Sequence, residues 1–250
     1  MNLVGLVPAA GRAERLGLLP CSKEILPVAI REAGEMGFET AAGRLLRQLA
    51  LAGVTRAFVV VDENKWDVAR YLGAGTDLGL DLAYLTIRRS PSTPATVDRA
   101  FEHIREATIA FGFPDILFRP DGVFARLLDR LEETRAEAVL GLFPTDRPQK
   151  VDMVEIAGSG RVRRILIKPD QTELELAWIA AVWTPAFTAY LHELMTKMTD
   201  GPRDRELYVG DVIQAAADDG VHIDSASFPD GAFRDVGTPD DLLRASREPW

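Results

Sequence analysis

A three-layer α/β fold around a mixed, mostly parallel sheet follows from three observations in the sequence. Short apolar runs alternate with helix-length amphipathic stretches through the first half, the order that parallel strands with right-handed crossovers require. Two strand-like runs flank Gly158-Ser159-Gly160 in the second half, which adds an antiparallel hairpin. No repeat, low-complexity tract or composition shift marks a boundary, so residues 1–250 are expected to form a single domain.

The elements follow in order. Residues 2–7 form a short apolar run bounded by Pro8 and Gly11, a buried strand and its turn. Residues 9–22, rich in Gly, Ala, Arg and Pro, read as a long loop. Leu45, Leu46, Leu49 and Ala52 recur at helical spacing, and Gly53 stops that helix. A strand at 56–61, a helix at 66–72 and a strand at 82–87 come next. Val97, Phe101 and Ile104 mark a helix after Pro94, followed by a strand at 108–112.

Further on, 123–131 is helical and 138–143 is a strand. The hairpin pairs 151–156 with 162–167, and an apolar stretch occupies 176–183. Helices near 186–198 and 209–218 precede a short strand at 221–227. The last helix starts with Thr238 as N-cap and Pro239 at its first position. Ligands of such sheets lie at the carboxyl ends of the strands, which singles out the loops at 8–22, 112–120 and 229–238.

Composition narrows the function. A net charge of −9 argues against a nucleic-acid polymer as partner, because phosphate-backbone binding needs a basic surface. A small triphosphate remains compatible, since a few local donors and a metal suffice to hold it. The lone cysteine, Cys21, excludes an internal disulfide and fits a reducing compartment. No apolar run approaches the ~20 residues of a membrane span. The chain opens on a strand-like stretch without a basic leader, so a cytoplasmic protein is expected. His103, His192 and His222 show no ligand spacing and read as structural or solvated.

The first loop carries the chemistry. Ala9, Ala10, Gly11 and Arg12 follow the first strand, with Arg15 and Lys23 behind them. Small residues let backbone N–H groups approach a phosphate, and the two cations supply charge. Read alone, the same residues also describe a surface loop with solvated charges.

In order and spacing, however, Ala10-Gly11, Arg15-Leu16, Lys23, Leu26 and Pro27-Val28 resemble the A-G-x-G-T-R-L and P-K-x-L-x-P-V segments of sugar-1-phosphate nucleotidylyltransferases, the glucose-1-phosphate thymidylyltransferase-like enzymes. Gly53-Val54, Tyr71-Leu72-Gly73, Gly112-Phe113-Pro114-Asp115 and Ile167-Lys168-Pro169 continue the likeness. Phe233-Arg234-Asp235-Val236-Gly237-Thr238-Pro239 is its most specific part. The resemblance implies a Rossmann-like fold of the nucleotide-diphospho-sugar transferase type. It also implies a Mg²⁺-dependent reaction in which a phosphorylated acceptor attacks the α-phosphorus of a nucleoside triphosphate and displaces pyrophosphate. Arg15 and Lys23 would contact the phosphates, Asp115 and Asp235 would hold the metal, and Lys168 would neutralise the acceptor phosphate. For the two aspartates a turn or cap role is the alternative, and for Lys168 a solvated strand end.

The departures fall on binding positions. Ala13 and Glu14 replace the second glycine and the threonine of the loop. Arg88 and Thr93 stand where the base-reading segment has Gln and Gly, and the resemblance places them, with Ala9, Ala10, Gly11 and Arg12, among the nucleotide-binding residues. Val151-Asp152 replaces a Y-G pair, Ile167 replaces the glutamate of E-K-P, and Ala177 and Ile179 replace an Asn and a Gly. Ile and Ala cannot read sugar hydroxyls, which points to an acceptor other than an ordinary hexose phosphate. Two functions stay open: a nucleotidyltransferase, or a non-catalytic member of the fold that binds a ligand or a protein. A homo-oligomer is compatible with both. A Rossmann oxidoreductase is disfavoured, because no acidic residue follows a proper G-x-G-x-x-G turn at the expected distance.

Overall fold

The computed structural model describes residues 2–250 apart from 12, 14, 15, 33, 199–204 and 249. Strand β1 (Leu3–Ala9) is an unbroken apolar run and takes the middle of the main sheet, buried on both faces. Past the first loop comes a hairpin, β2 (Pro27–Glu32) and β3 (Glu35–Thr40), which the hydrophobic pattern does not announce. On β3, Met36 and Phe38 lie exposed, so no inward apolar alternation betrays the strand.

Thr40 then caps α1 (Ala41–Leu51), its hydroxyl accepting a 3.0 Å hydrogen bond from the Gly43 amide. Gly53, at φ +84°, turns the chain into β4 (Arg56–Asp62), parallel to β1. Helix α2 (Trp66–Leu72) crosses to the edge strand β5 (Asp81–Ile87). The helix expected after Pro94 is split into α3 (Thr93–Asp98), capped by Ser92, and α4 (Phe101–Ile104). Strand β6 (Thr108–Gly112) then pairs with β1 on its other side.

The second half adds β7 (Ile116–Arg119), α5 (Val123–Thr134), β8 (Ala138–Pro144), and the hairpin β9 (Met153–Ile156) and β10 (Val162–Leu166). The apolar stretch becomes β11 (Leu176–Trp183), which runs antiparallel between β6 and β8. After α6 (Pro185–Lys197) and α7 (Val209–Asp218), β12 (Ile223–Ser227) pairs parallel with β8. The chain ends with β13 (Ala232–Asp235) and α8 (Pro239–Arg247), the latter starting on Thr238 and Pro239 as the sequence requires. The main sheet therefore reads β5-β4-β1-β6-β11-β8-β12, with the β9–β10 hairpin joined to the start of β11.

Alternation along the strands sorts the core into two layers. Val7, Val59 and Val61 meet Leu45, Leu46 and Leu49 of α1, and the same face carries Phe124 and Leu127 of α5. Leu6, Val60 and Phe111 face the opposite layer with Phe187 and Leu191 of α6 and Val212 of α7. Each such side chain removed from water contributes about 1.5–3 kcal/mol.

One expectation needs correcting because it bears on the site. The segments 112–120 and 229–238 are not simply loops: β7 and β13 pair antiparallel, with Asp235 opposite Ile116. Four-residue strands more than a hundred positions apart leave no periodic signal. Leu117 and Val236 pack with Val28, Ala41 and Ala245 into a small separate core that fixes this ladder beside the first loop.

Candidate active site

A cleft of about 730 Å³ opens where β1, β6 and the β7–β13 ladder end, large enough for a nucleotide and a second small ligand. Its floor is made by three residues from distant parts of the chain. Lys23 opens a short 3-10 turn, Asp115 precedes β7, and Asp235 ends β13. The Val236 amide donates to the Asp115 carbonyl at 2.9 Å, which locks the two aspartates into one frame. The Lys23 ammonium is hydrogen-bonded to the Asp115 carboxylate, and both side chains are mostly buried. Burial alone would lower the Lys23 pKa, but the charge and hydrogen bond of Asp115, with Glu24 and Asp235 beyond, raise it. Burial likewise works to raise Asp115, and Lys23 outweighs it, so this carboxyl lies below its ordinary value.

The loop above the floor is tied down at its far end. Ser22 bonds Asp67 at the start of α2 through its amide at 2.6 Å and its hydroxyl at 2.7 Å. Glu24 is 1% exposed and pairs with Lys65 at 2.7 Å, while Lys65 also donates to the Ala9 carbonyl at 2.9 Å. Burial raises Glu24 above its usual pKa despite Lys65 and Lys23. The other carboxylate oxygen of Glu24, Oε2, has no hydrogen-bond partner among the described residues. The start of α8 is anchored similarly: Lys150 grips Asp241 at 2.8 and 2.6 Å, and the Asp241 amide donates to the Thr238 hydroxyl.

The residues singled out in the sequence divide four ways. Ala10, Gly11, Lys23, Thr93, Asp115, Lys168 and Asp235 all line the cleft. A Cβ at Gly11 would meet nothing within 4 Å, so its backbone borders open space. Ala9 lies fully buried in β1 beneath the cleft, contributing its carbonyl to Lys65. Arg88 is not brought in: its side chain is 89% exposed and sits 3.6 Å from Glu63, while its neighbour Arg89 lines the cleft. Arg12, Glu14 and Arg15 lie outside the described residues. The sequence reading missed Glu24, Lys65, Lys150, Trp178 and Tyr208. The Lys23-Glu24 step was the one available signal, whereas nothing local marks Trp178 or Tyr208.

Asp115 and Asp235 are hard oxygen donors on one surface, and among the described residues no third carboxylate, His or Cys joins them. Two carboxylates, with substrate phosphates and water completing the shell, are the set that Mg²⁺ takes. The donor set fits that ion. Also among the described residues, no helix is long and apolar enough to cross a membrane.

The cleft thus joins a Lys–carboxylate floor at the strand ends of an α/β sheet to the small residues Ala10 and Gly11, at the edge where sheets of this class take their ligands. The comparisons make this specific: a nucleotidyl transferase family model matches residues 4–249, and the chain belongs to that family. It is 24% identical over 247 residues to the low-salt glycan biosynthesis nucleotidyltransferase Agl11 of Haloferax volcanii, covering 97% of this chain and 65% of that protein. It is 25% identical over 249 residues to a glucose-1-phosphate thymidylyltransferase of Streptomyces antibioticus, again 97% of this chain and 65% of the relative. The chain thus spans about two thirds of the length of these relatives. A UDP-glucose pyrophosphorylase solved with UDP-glucose shares the fold at a TM-score of 0.79 and 18% identity, over 98% of this chain and 97% of that one.

Proposed function

We propose that this protein transfers a nucleotidyl group from a nucleoside triphosphate to a phosphorylated small molecule, a sugar phosphate or a related acceptor, with release of pyrophosphate. The observation that carries the reading is the convergence of Lys23, Asp115 and Asp235 on one floor beneath Ala10 and Gly11, with Lys168 in the same cleft. An acceptor phosphate oxygen attacks the α-phosphorus, a P–O bond forms, and the bond to the β-phosphate bridging oxygen breaks. Such a transfer needs chiefly positioning and electrostatic relief. Lys23 offers a buried ammonium to the triphosphate, and the Gly11 backbone allows close approach. Lys168 meets the acceptor phosphate. Asp115 and Asp235 would hold Mg²⁺, which when bound neutralises charge on the phosphate oxygens. Lys23 would then exchange its hydrogen bond with Asp115 for one to phosphate.

The test is a coupled pyrophosphate assay of each nucleoside triphosphate against a panel of phosphorylated acceptors, with and without Mg²⁺. Release with at least one pair, abolished by chelation and by Asp115→Ala, is expected. No release with any pair, together with calorimetric silence toward every nucleotide, would instead leave a non-catalytic binding protein.

A further inference from the structure

A second wall of the cleft comes from the start of β9, from β11 and from the start of α7, and its chemistry is unlike the floor. Asp152 is 8% exposed, and its Oδ1 has no hydrogen-bond partner among the described residues. Trp178, 3% exposed, leaves its indole N–H equally unpartnered. The indole faces the carboxylate closely enough to favour its charged form without a hydrogen bond of ordinary geometry. Buried polar atoms are nearly always satisfied, and two orphans side by side in a cleft wall mark a place that a ligand completes.

The local sequence makes room for this carboxylate. A Cβ at Gly210, in the first turn of α7, would fall 2.5 Å from Asp152 Oδ2, so only glycine there lets the side chain lie where it does. Lys168 and Arg205 are the cations that act on Asp152, and Asp211 acts against them. Arg205 is already engaged, holding Asp211 with bonds of 2.9 and 2.6 Å. The Lys168 ammonium lies 3.8 Å from the centre of the Tyr208 ring rather than in an ion pair with Asp152. This wall therefore holds an acidic group without a cation of its own, and Glu206 adds a second carboxylate to the lining. Around them stand the largely apolar surfaces of Trp178, Tyr208, Phe113 and Ile179, whose side-chain polar atoms are the Trp178 N–H and the Tyr208 hydroxyl.

Resting on the nucleotidyltransferase reading above, we propose that Asp152 is the specificity residue of the acceptor side and that it receives a protonated amine carried by the phosphorylated acceptor. The ammonium donates to Asp152 Oδ1 while its apolar carbons pack on the aromatic wall, and the Trp178 N–H is left for an oxygen of the same molecule. Lys168 then leaves Tyr208 for the acceptor phosphate. An amino-sugar phosphate and an aminoalkyl phosphate share this chemistry.

The experiment pairs each amine with its hydroxyl counterpart: glucosamine 1-phosphate against glucose 1-phosphate, and ethanolamine phosphate against ethylene glycol phosphate. Pyrophosphate release and calorimetric binding are both read on the intact chain, as wild type and as Asp152→Asn. The amine member of one pair is expected to be favoured by tenfold or more in kcat/KM. Asp152→Asn should bring that ratio near one, through KM for the acceptor and not through KM for the triphosphate. The pair that responds tells sugar from alkyl acceptors. Equal use of both members of each pair, or a preference that survives Asp152→Asn, overturns the inference and leaves the transferase reading intact. Should no pair turn over, amine binding that Asp152→Asn abolishes still supports the site, and its absence overturns it. A cooperative melt of Asp152→Asn at or above the wild-type temperature shows that the variant is folded.

Discussion

The floor and the wall of the cleft each bury an aspartate, and the two are treated in opposite ways. Asp115 is met by Lys23, and its carboxyl is held below the ordinary range against the pull of burial. Among the described residues Asp152 is met by no hydrogen-bonding cation; burial dominates and pushes it up to about 6, with Lys168 and Trp178 only partly offsetting. The difference is between charge neutralised inside the free protein and charge held for something that arrives. A preformed Lys–Asp pair leaves neither charge stranded in the free protein and must be exchanged when phosphate binds, whereas an unpaired carboxylate costs stability until its ligand is present.

The sharpest way to break this contrast is at the floor. Asp115→Ala should lower pyrophosphate release by about 10³-fold or more, because on the proposed reading it would remove one of the two carboxylates that hold Mg²⁺, and it misplaces Lys23. It should also destabilise the protein by roughly 3–5 kcal/mol, since the buried Lys23 loses its partner. Activity within tenfold of wild type in the coupled assay would show that the floor is structural only.

The next largest effect is expected one shell away. Lys65→Met leaves Glu24 buried with no salt bridge and frees the Ala9 carbonyl. A loss of about 3 kcal/mol is expected from stranding that charge, measured by denaturant titration. The triphosphate KM should rise as the loop loosens, while the acceptor KM stays close to wild type. A change confined to the acceptor would contradict the assignment of this loop to the triphosphate.

At the wall the sign reverses. The folded-state pKa of Asp152, about 6, lies above the ordinary 3.8, so the native state holds the proton more tightly than the unfolded chain. Its stabilising contribution is complete below pH ~4 and is lost as pH rises through 6. Above that, the ionised group costs about 3 kcal/mol, two pKa units at 1.36 kcal/mol each. Asp152→Asn should therefore stabilise the protein at pH 8, by a smaller ~1–2 kcal/mol because the amide is also left without full hydrogen bonding. The gain should shrink toward pH 4, and thermal melts across that range check it. A destabilised variant at pH 8 would mean that Asp152 is satisfied in the free protein.

What could be read in the sequence follows the same division. The positions that form the floor were legible because Lys23, Asp115 and Asp235 each sit in a short segment that resembles a motif of the family. The main strands were legible because runs such as Val59-Val60-Val61 are buried on both faces. The β2–β3 hairpin and the β7–β13 ladder were not, since their residues are half-exposed and the second pairing joins segments far apart in the chain. The wall was hidden for a further reason. Asp152 reads in sequence as the loss of a Y-G pair, and only tertiary packing against Trp178 and Gly210 turns it into an unpaired buried carboxylate.

Arg88 supplies the smallest predicted effect and a control on the whole comparison. Its position in the base-reading segment assigned it to the nucleotide, yet its guanidinium is largely in solvent, 3.6 Å from a half-exposed Glu63. An exposed pair of this kind contributes at most about 1 kcal/mol and often nothing measurable. Arg88→Ala should leave stability within about 0.5 kcal/mol and triphosphate KM within about twofold. Arg89→Ala, next to it and lining the cleft, should raise triphosphate KM by several-fold. Kinetics on the two variants side by side distinguish a residue chosen by its motif from one chosen by its place. A larger effect at Arg88 would mean that this loop re-forms around the nucleotide and that the cleft seen here is its open form.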